Sequence, residues 1–212
     1  MKSLSKFTDS SALLSKKKSK IRRKKAKIKN WWRTIGNLSS KMNVKLQQLN
    51  QASKETAESA LLSCCGSQNW IKKMIEARPF ADVSALLNQA AQIWQNLETE
   101  DWLEAFAAHP KIGAKKAVSH QTAQSAEWSK GEQSGTQTAA DSVKIELEEA
   151  NRLYENKFGF IFIVCATGKN AAEMLEICRE RLNNDADMEI RIAADEQRKI
   201  TEIRLKKLLE VV

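Results

Sequence analysis

The sequence predicts an all-α protein, a single compact multi-helix domain with a disordered basic N-terminal extension. Its 212 residues contain only seven glycines and two prolines, fewer than turn-rich β architectures usually need. After residue 42, apolar residues recur at helical spacing in nearly every segment. No apolar run reaches the roughly 18 residues that a membrane span requires. A chain of this length can fill one domain and carry a tail.

Charge divides the chain into two domains, 1–41 and 42–212. Residues 1–41 hold 14 of the 35 Lys and Arg residues and one of the 26 acidic residues, a net charge of +13. The other 171 residues hold 21 basic and 25 acidic residues and therefore carry −4. A dense block of like charge between Lys16 and Lys29 cannot bury a face, so we expect residues 1–41 to be disordered.

Three interpretations of this extension stay open. It can be an arm that contacts nucleic acid or an anionic membrane surface, with Trp31 and Trp32 available to stack or insert. It can be a targeting sequence, although Lys outnumbers Arg and a secretory apolar segment is missing. It can also be an extension from an upstream start codon, because Met42 opens the first stretch with balanced charge.

The helices follow one another along the body. A first helical region has apolar positions at Leu46, Leu49, Ala57, Ala60 and Leu61. The next stripe, which Arg78-Pro79 ends, contains Trp70, Ile71, Met74 and Ile75. The third stripe contains Val83, Leu86, Leu87, Ala90, Ile93, Trp94 and Leu97.

Further helices are expected from residue 99 onward. Thr99 is the expected N-cap of "EDWLEAFAA", and Ser142 that of the helix with Val143, Leu147, Ala150 and Tyr154. "AAEMLEICRERL" and "RIAADEQRKITEIRLKKLLEV" complete the set.

The stretch "FGFIFIVCATG", residues 158–168, departs from this pattern. It is β-branched and aromatic, and local propensity predicts a strand. The sequence offers no comparable second strand, so its backbone groups need other partners. We therefore predict that this stretch forms a wall against which a ligand binds.

Cysteine usage predicts neither a metal site nor disulfides. Cys64, Cys65, Cys165 and Cys178 form no Cys-x-x-Cys pair, and the chain has only two histidines, His109 and His120. We expect all four thiols to be small buried residues in a reducing compartment. The final "KKLLEVV" carries no Ser-Lys-Leu peroxisomal address. With reduced thiols and no secretory signal, we expect a cytoplasmic protein.

Three positions are candidates for chemistry. Pro110 disfavours helical dihedrals in His109, which places this imidazole at a helix end. Ser129 and Glu132 fit either a capping box or a functional pair, since Gly131 weakens the local helix. Arg204 shares a helical stripe with apolar neighbours, so it either reaches the surface or needs a buried anion such as Glu132.

Taken in order, the motifs of the body resemble the 2-oxo-4-hydroxy-4-carboxy-5-ureidoimidazoline (OHCU) decarboxylase family. They are "CCGS", "ARPF", "AFAAHPKIGA", "EQSG", "N-x-x-Y-x-x-K-FGF-x-FIVCATG", "A-x-E-x-L", "RL-x-N" and "A-x-EQ-x-KI-x-x-IRL". The resemblance covers about residues 42 to 209. It implies an all-helical, usually dimeric lyase that needs neither metal nor organic cofactor and forms (S)-allantoin in the last step of urate degradation.

The resemblance also assigns the candidate site. It implies catalytic roles for His109, Glu132 and Arg204, with Glu132 orienting the imidazole of His109 and raising its pKa. The substrate-binding residues that it implies are Pro110, Ser129, Gln133, Phe162, Ile163, Val164, Cys165 and Ala166. The alternative function is a helical interaction module whose basic arm binds nucleic acid or anionic surfaces.

Overall fold

A computed structural model describes residues 43–112, 122–136 and 139–211. Within these ranges the chain forms helices and no β-strand, which confirms the predicted all-α class. The α-helices are α1 Val44–Gln51, α2 Lys54–Leu62, α3 Gln68–Glu76, α4 Val83–Gln95, α5 Thr99–Ala107, α6 Ala123–Glu132, α7 Asp141–Phe158, α8 Ala171–Arg181 and α9 Ala186–Leu208. A 3-10 turn, Ser134–Thr136, follows α6. The predicted extension 1–41, with Trp31 and Trp32, lies outside the described residues.

The first three helices begin at polar caps and are joined by long-range hydrogen bonds. The side chains of Asn43, Ser53 and Ser67 each accept a backbone N–H of the first turn. Arg78 donates from Nη1 to the carbonyl oxygens of Leu49 and Ala52, at 2.8 and 2.9 Å, and so satisfies groups left open at the end of α1. The "ARPF" motif therefore ties α1 to the residues after α3.

Three expected caps were placed wrongly. Helix α5 begins at Thr99 itself, and the N-cap is Glu98, whose backbone N–H donates to the Asp101 carboxylate at 3.3 Å. Helix α7 begins one residue before Ser142, with Ala140 as N-cap. Ser129 is inside α6, whose N-cap is Thr122, so the capping-box interpretation of Ser129 and Glu132 is wrong.

The body buries two apolar clusters. The first gathers residues of α1 to α5 and α9 around side chains such as Trp70 and Leu205. The second lies between α7 and α8, around Tyr154 and Met174. All four cysteines are buried free thiols, as predicted. No helix in the described part of the chain has the length and apolar character that crossing a membrane requires.

Residues 161–166, which we call the wall segment, run between the two clusters without forming a strand. Phe162, Val164 and Ala166 pack into the second cluster, whereas Ile163 and Cys165 pack into the first. Side chains alternate in this way when the backbone is extended. Local composition thus predicted the extended shape correctly, but the segment is not a strand, because no second strand lies beside it within the described residues. The sequence had offered no such partner.

Candidate active site

A cavity with about 450 Å³ of empty space, its open mouth included, brings most of the predicted site residues together. It is enclosed by the end of α5, the last turn of α6, the wall segment and one face of α9. The lining residues are His109, Pro110, Ile112, Ser129, Glu132, Gln133, Phe162, Ile163, Val164, Ala166, Thr167, Ile200 and Ile203. Of the predicted residues, Arg204 and Cys165 do not line it.

His109 lies where α5 ends, as the sequence predicts. Its backbone N–H donates to the carbonyl of Phe106 at 3.0 Å, and the imidazole faces the cavity. A Cβ atom on Gly66 would lie 2.4 Å from the Cβ of Ala108, so only glycine permits this approach. The "CCGS" motif therefore packs directly under the helix end that carries His109.

The electrostatic setting of His109 favours the neutral imidazole. Burial beside the cavity lowers the pKa of His109 from 6.5 to about 3, and the positive charge of Arg204 acts in the same direction. The side chain of Gln197 opposes both effects. The expected rise of this pKa through Glu132 is therefore not what the structure gives.

Glu132 is instead paired with two cations of α9. Its carboxylate oxygens accept from Arg204 Nη2 at 2.8 Å and Arg204 Nε at 3.3 Å, and Lys207 Nζ lies 3.1 Å away. Glu132 sits at the C-terminus of α6, where the helix dipole disfavours a negative charge, and these cations compensate. Arg204 is 3% exposed and therefore does not reach the surface. It points inward to Glu132, the buried anion that the second interpretation of the sequence required.

Two hydroxyl groups of α6 complete the coordination of Arg204. Nη1 donates to Ser125 Oγ at 3.1 Å, and Nη2 donates to Ser129 Oγ at 2.8 Å. The planar guanidinium thus fixes the last two turns of α6 against α9. Arg204 itself does not line the cavity, but Ser129 and Glu132, which it contacts, do.

Side chains, rather than a neighbouring strand, hold the backbone of the wall segment. The carbonyl of Ile163 accepts from Arg181 Nη1 at 2.8 Å. The amide of Cys165 donates to Glu196 at 2.7 Å, and its carbonyl accepts from Lys169 Nζ at 2.7 Å. Both backbone groups of Cys165 are therefore occupied.

Arg181 belongs to a buried polar network behind the wall. Its Nε donates to Glu189 at 2.7 Å, and Glu189 also accepts from the Tyr154 hydroxyl and, at 2.7 Å, from Asn184. The charged pair is almost fully enclosed, with side-chain exposures of 8% and 0%. Buried ion pairs are tolerated when every group finds partners, as here.

Sequence reasoning missed several residues that shape the site. Ile200, Ile203 and Gln197 lie within two turns of Arg204 on α9, and helical spacing from Arg204 identifies this face. Arg181 and Glu196 carried no such signal, because their partners on the wall segment are 18 and 31 residues distant.

Within the described ranges, no group of three or more His, Cys, Asp or Glu side chains could hold a metal ion. A cavity with one neutral imidazole, a compensated carboxylate and a fixed backbone wall can transfer a proton and stabilise developing negative charge.

Residues 50–206 match the family model described as OHCU decarboxylase. The uric acid degradation bifunctional protein TTL of Arabidopsis thaliana is 44% identical over 166 residues, which cover 73% of this chain and 48% of that protein. A uric acid degradation bifunctional protein of Bacillus sp. (strain TB-90) is 26% identical over 168 residues, covering 78% of this chain and 32% of the other. The chain thus spans about half the length of the Arabidopsis protein and about a third of the length of the Bacillus protein.

One solved structure matches over its whole length. It is a crystal structure of OHCU decarboxylase in the presence of (S)-allantoin, 40% identical in sequence, with a TM-score of 0.62. The match covers 75% of this chain and 99% of that one.

Proposed function

The chain belongs to the OHCU decarboxylase family, and from this we propose that it converts OHCU to (S)-allantoin by a cofactor-independent, stereoselective decarboxylation. This reaction is the last step of urate degradation to allantoin. The observation that carries the proposal is that His109, Glu132 and the wall segment line one cavity.

The reaction needs an electron sink, which the substrate itself supplies. The bond between C4 and the carboxylate carbon breaks, and carbon dioxide leaves. The electron pair forms a C4=C5 double bond, and the electrons of the C5=N bond move to the ring nitrogen, which gives an anionic enol. One proton is then added to one face of C5, and the proton of the 4-hydroxyl moves to the ring nitrogen as the hydroxyl becomes a carbonyl. The protein must stabilise the developing charge, exclude water and deliver the proton to one face.

His109 is the group that we assign to proton delivery. Its lowered pKa keeps the imidazole neutral near pH 7. A bound substrate brings a carboxylate, and an anion close to the ring favours the protonated imidazole. The substrate would therefore draw in the proton that the reaction consumes.

The remaining residues of the cavity bind and orient the substrate. Glu132, Arg204 and Lys207 together carry one net positive charge, which favours an anionic substrate at the mouth of the cavity. Ser129 and Gln133 present polar groups suited to the ureido and ring amides. Phe162, Ile163, Val164 and Ala166 exclude water from the opposite side.

The replacement His109→Asn tests the assignment. We expect the enzymatic rate enhancement to fall by about 100-fold or more, the range that loss of general acid catalysis gives. Residual product should be racemic, because OHCU decarboxylates unaided. Freshly generated substrate is supplied, and the circular dichroism of the allantoin formed is followed.

His120→Asn is the matched control and should leave both rate and chirality unchanged. A His109→Asn protein that still forms pure (S)-allantoin at the wild-type rate would remove His109 from the mechanism. A wild-type protein that gives only the uncatalysed rate would refute the decarboxylase activity.

The assembly and location that we propose are a homodimer in the cytoplasm, with residues 1–41 as an appendage to the decarboxylase-like domain 42–212. Family membership supports the dimer, the four free thiols support the cytoplasm, and the distribution of charge supports the appendage. Light scattering on the purified full chain tests the dimer, because a mass near 23.9 kDa would contradict it.

A further inference from the structure

Gln197 is a polar side chain in an unusual position. It lies on α9 near Ile200 and Arg204 and is completely buried. Its amide nitrogen donates to the Thr201 hydroxyl at 3.2 Å, and that hydroxyl donates to the backbone carbonyl of Gln197 at 3.0 Å. These two hydrogen bonds fix which end of the amide is nitrogen and which is oxygen.

The amide oxygen of Gln197 receives no hydrogen bond of normal geometry. Among the described residues it is the buried side-chain polar atom that lacks one. An unsatisfied buried acceptor costs about 1–3 kcal/mol, so native structures seldom keep one without a use. The side chain lies beside the imidazole of His109, where it acts on the ring as an acceptor.

We propose that Gln197 is a positioning residue for His109, whose oxygen accepts one imidazole N–H and directs the other ring nitrogen into the cavity. The role rests on the proposed decarboxylase function, because it prepares His109 for proton transfer. Hydrogen bonds between functional groups are often long in the empty enzyme and shorten when the substrate binds. The amide oxygen of Gln197 fits such a bond.

An uncharged acceptor suits this site better than a carboxylate. The charge of Arg204 on α9 acts on His109, and Glu132 on α6 lines the same cavity, but these two charges are already paired. A carboxylate at position 197 would hold the imidazole protonated before the substrate arrives. Glutamine fixes the ring orientation and leaves its protonation to the substrate.

The two histidines of the chain make this inference directly measurable. In protein with ¹⁵N-labelled histidine and the background replacement His120→Gln, the two ring nitrogens of His109 give separate signals that report its tautomer. Without substrate at pH 7, we expect one predominant tautomer when Gln197 is present. Gln197→Met, similar in size but without an acceptor, should give a mixture of the two tautomers.

Kinetics provide the second readout. For Gln197→Met we expect kcat to fall about 10- to 100-fold, because a misoriented imidazole loses part of the contribution of a positioned general acid, with a smaller change in KM. Gln197→Glu keeps the acceptor, so it should keep one tautomer. It should also raise the pKa of His109, visible in the NMR titration.

Three outcomes would overturn the proposal. They are an unchanged tautomer in a folded Gln197→Met protein, a wild-type kcat in that protein, and an unchanged pKa of His109 in Gln197→Glu. The last measurement decides the matter even if Gln197→Met does not fold. Since the NMR experiments use no substrate, their result is independent of whether the chain decarboxylates OHCU.

Discussion

Glu132 shows how one residue takes its role from its surroundings. A carboxylate at the end of α6 opposes the helix dipole, yet its side chain is only 9% exposed. Arg204 and Lys207 resolve this conflict and leave a single excess positive charge. The positive charge of Arg204 adds to the effect of burial, which is the larger cause of the lowered pKa of His109.

The lowered pKa of His109 predicts a measurable loss of stability in acid. Between about pH 6.5 and pH 3 the unfolded chain binds a proton on this imidazole that the folded protein does not bind. The free energy of unfolding must therefore decrease as the pH falls through this window, and it is unaffected by this group above about pH 7. At pH 5 the contribution is about 2 kcal/mol.

Denaturant unfolding at pH 7 and pH 5 checks this value. His109→Gln should lose less stability than the wild type on acidification, by about the same 2 kcal/mol. His120→Gln is the matched control for replacing a histidine. Equal pH dependence in wild type and His109→Gln would contradict the depressed pKa.

At the scale of elements, α9 determines the geometry of the site. One face of this helix supplies Ile200 and Ile203 to the cavity, Arg204 and Lys207 to Glu132, and Gln197 to His109. The rigid spacing of a helix fixes these side chains relative to one another. The other walls are shorter elements that side chains of α8 and α9 hold in place.

The 3-10 turn after α6 depends on a close approach at Gly135. A Cβ atom there would lie 2.2 Å from the carbonyl oxygen of Lys169, just beyond the wall segment. We expect Gly135→Ala to separate the turn from the wall, to cost about 1–3 kcal/mol of stability and to lower kcat. Thermal unfolding and the decarboxylation assay measure the two effects.

Gly131, four residues earlier in α6, is the matched control. A Cβ atom at Gly131 meets no other atom within 4 Å. Gly131→Ala should therefore stabilise the helix by about 0.5–1 kcal/mol and leave activity unchanged. If both replacements behaved alike, the contact between Gly135 and Lys169 would have no role.

At the scale of the whole molecule, charge is distributed unevenly along the chain. All predicted site residues fall after residue 108, whereas a net charge of +13 falls within residues 1–41. Removing residues 1–41 should therefore leave the decarboxylation rate unchanged. Steady-state kinetics of the truncated and the full chain provide the comparison.

The same truncation tests the alternative function. If the basic arm binds nucleic acid or anionic vesicles, the full chain should show affinity that decreases steeply with salt and disappears in the truncated chain. Loss of decarboxylation on truncation would contradict the division at residue 41.

The sequence predicted the helices well because each buries an apolar stripe that repeats within a few residues, as Trp70, Ile71 and Met74 do in α3. His109 was found because Pro110 acts on its immediate neighbour. The caps at Glu98 and Ala140 were missed because neither residue type is a usual N-cap. Gln197 and Arg181 were missed because their roles depend on partners that only the folded chain brings near.

The wall segment contributes side chains alternately to both apolar clusters while it lines the cavity. Loosening of either cluster would thus be transmitted to the cavity through the same six residues. Catalytic turnover then becomes a sensitive reporter of the integrity of both halves of the interior, and heat inactivation should begin no later than the first loss of tertiary packing.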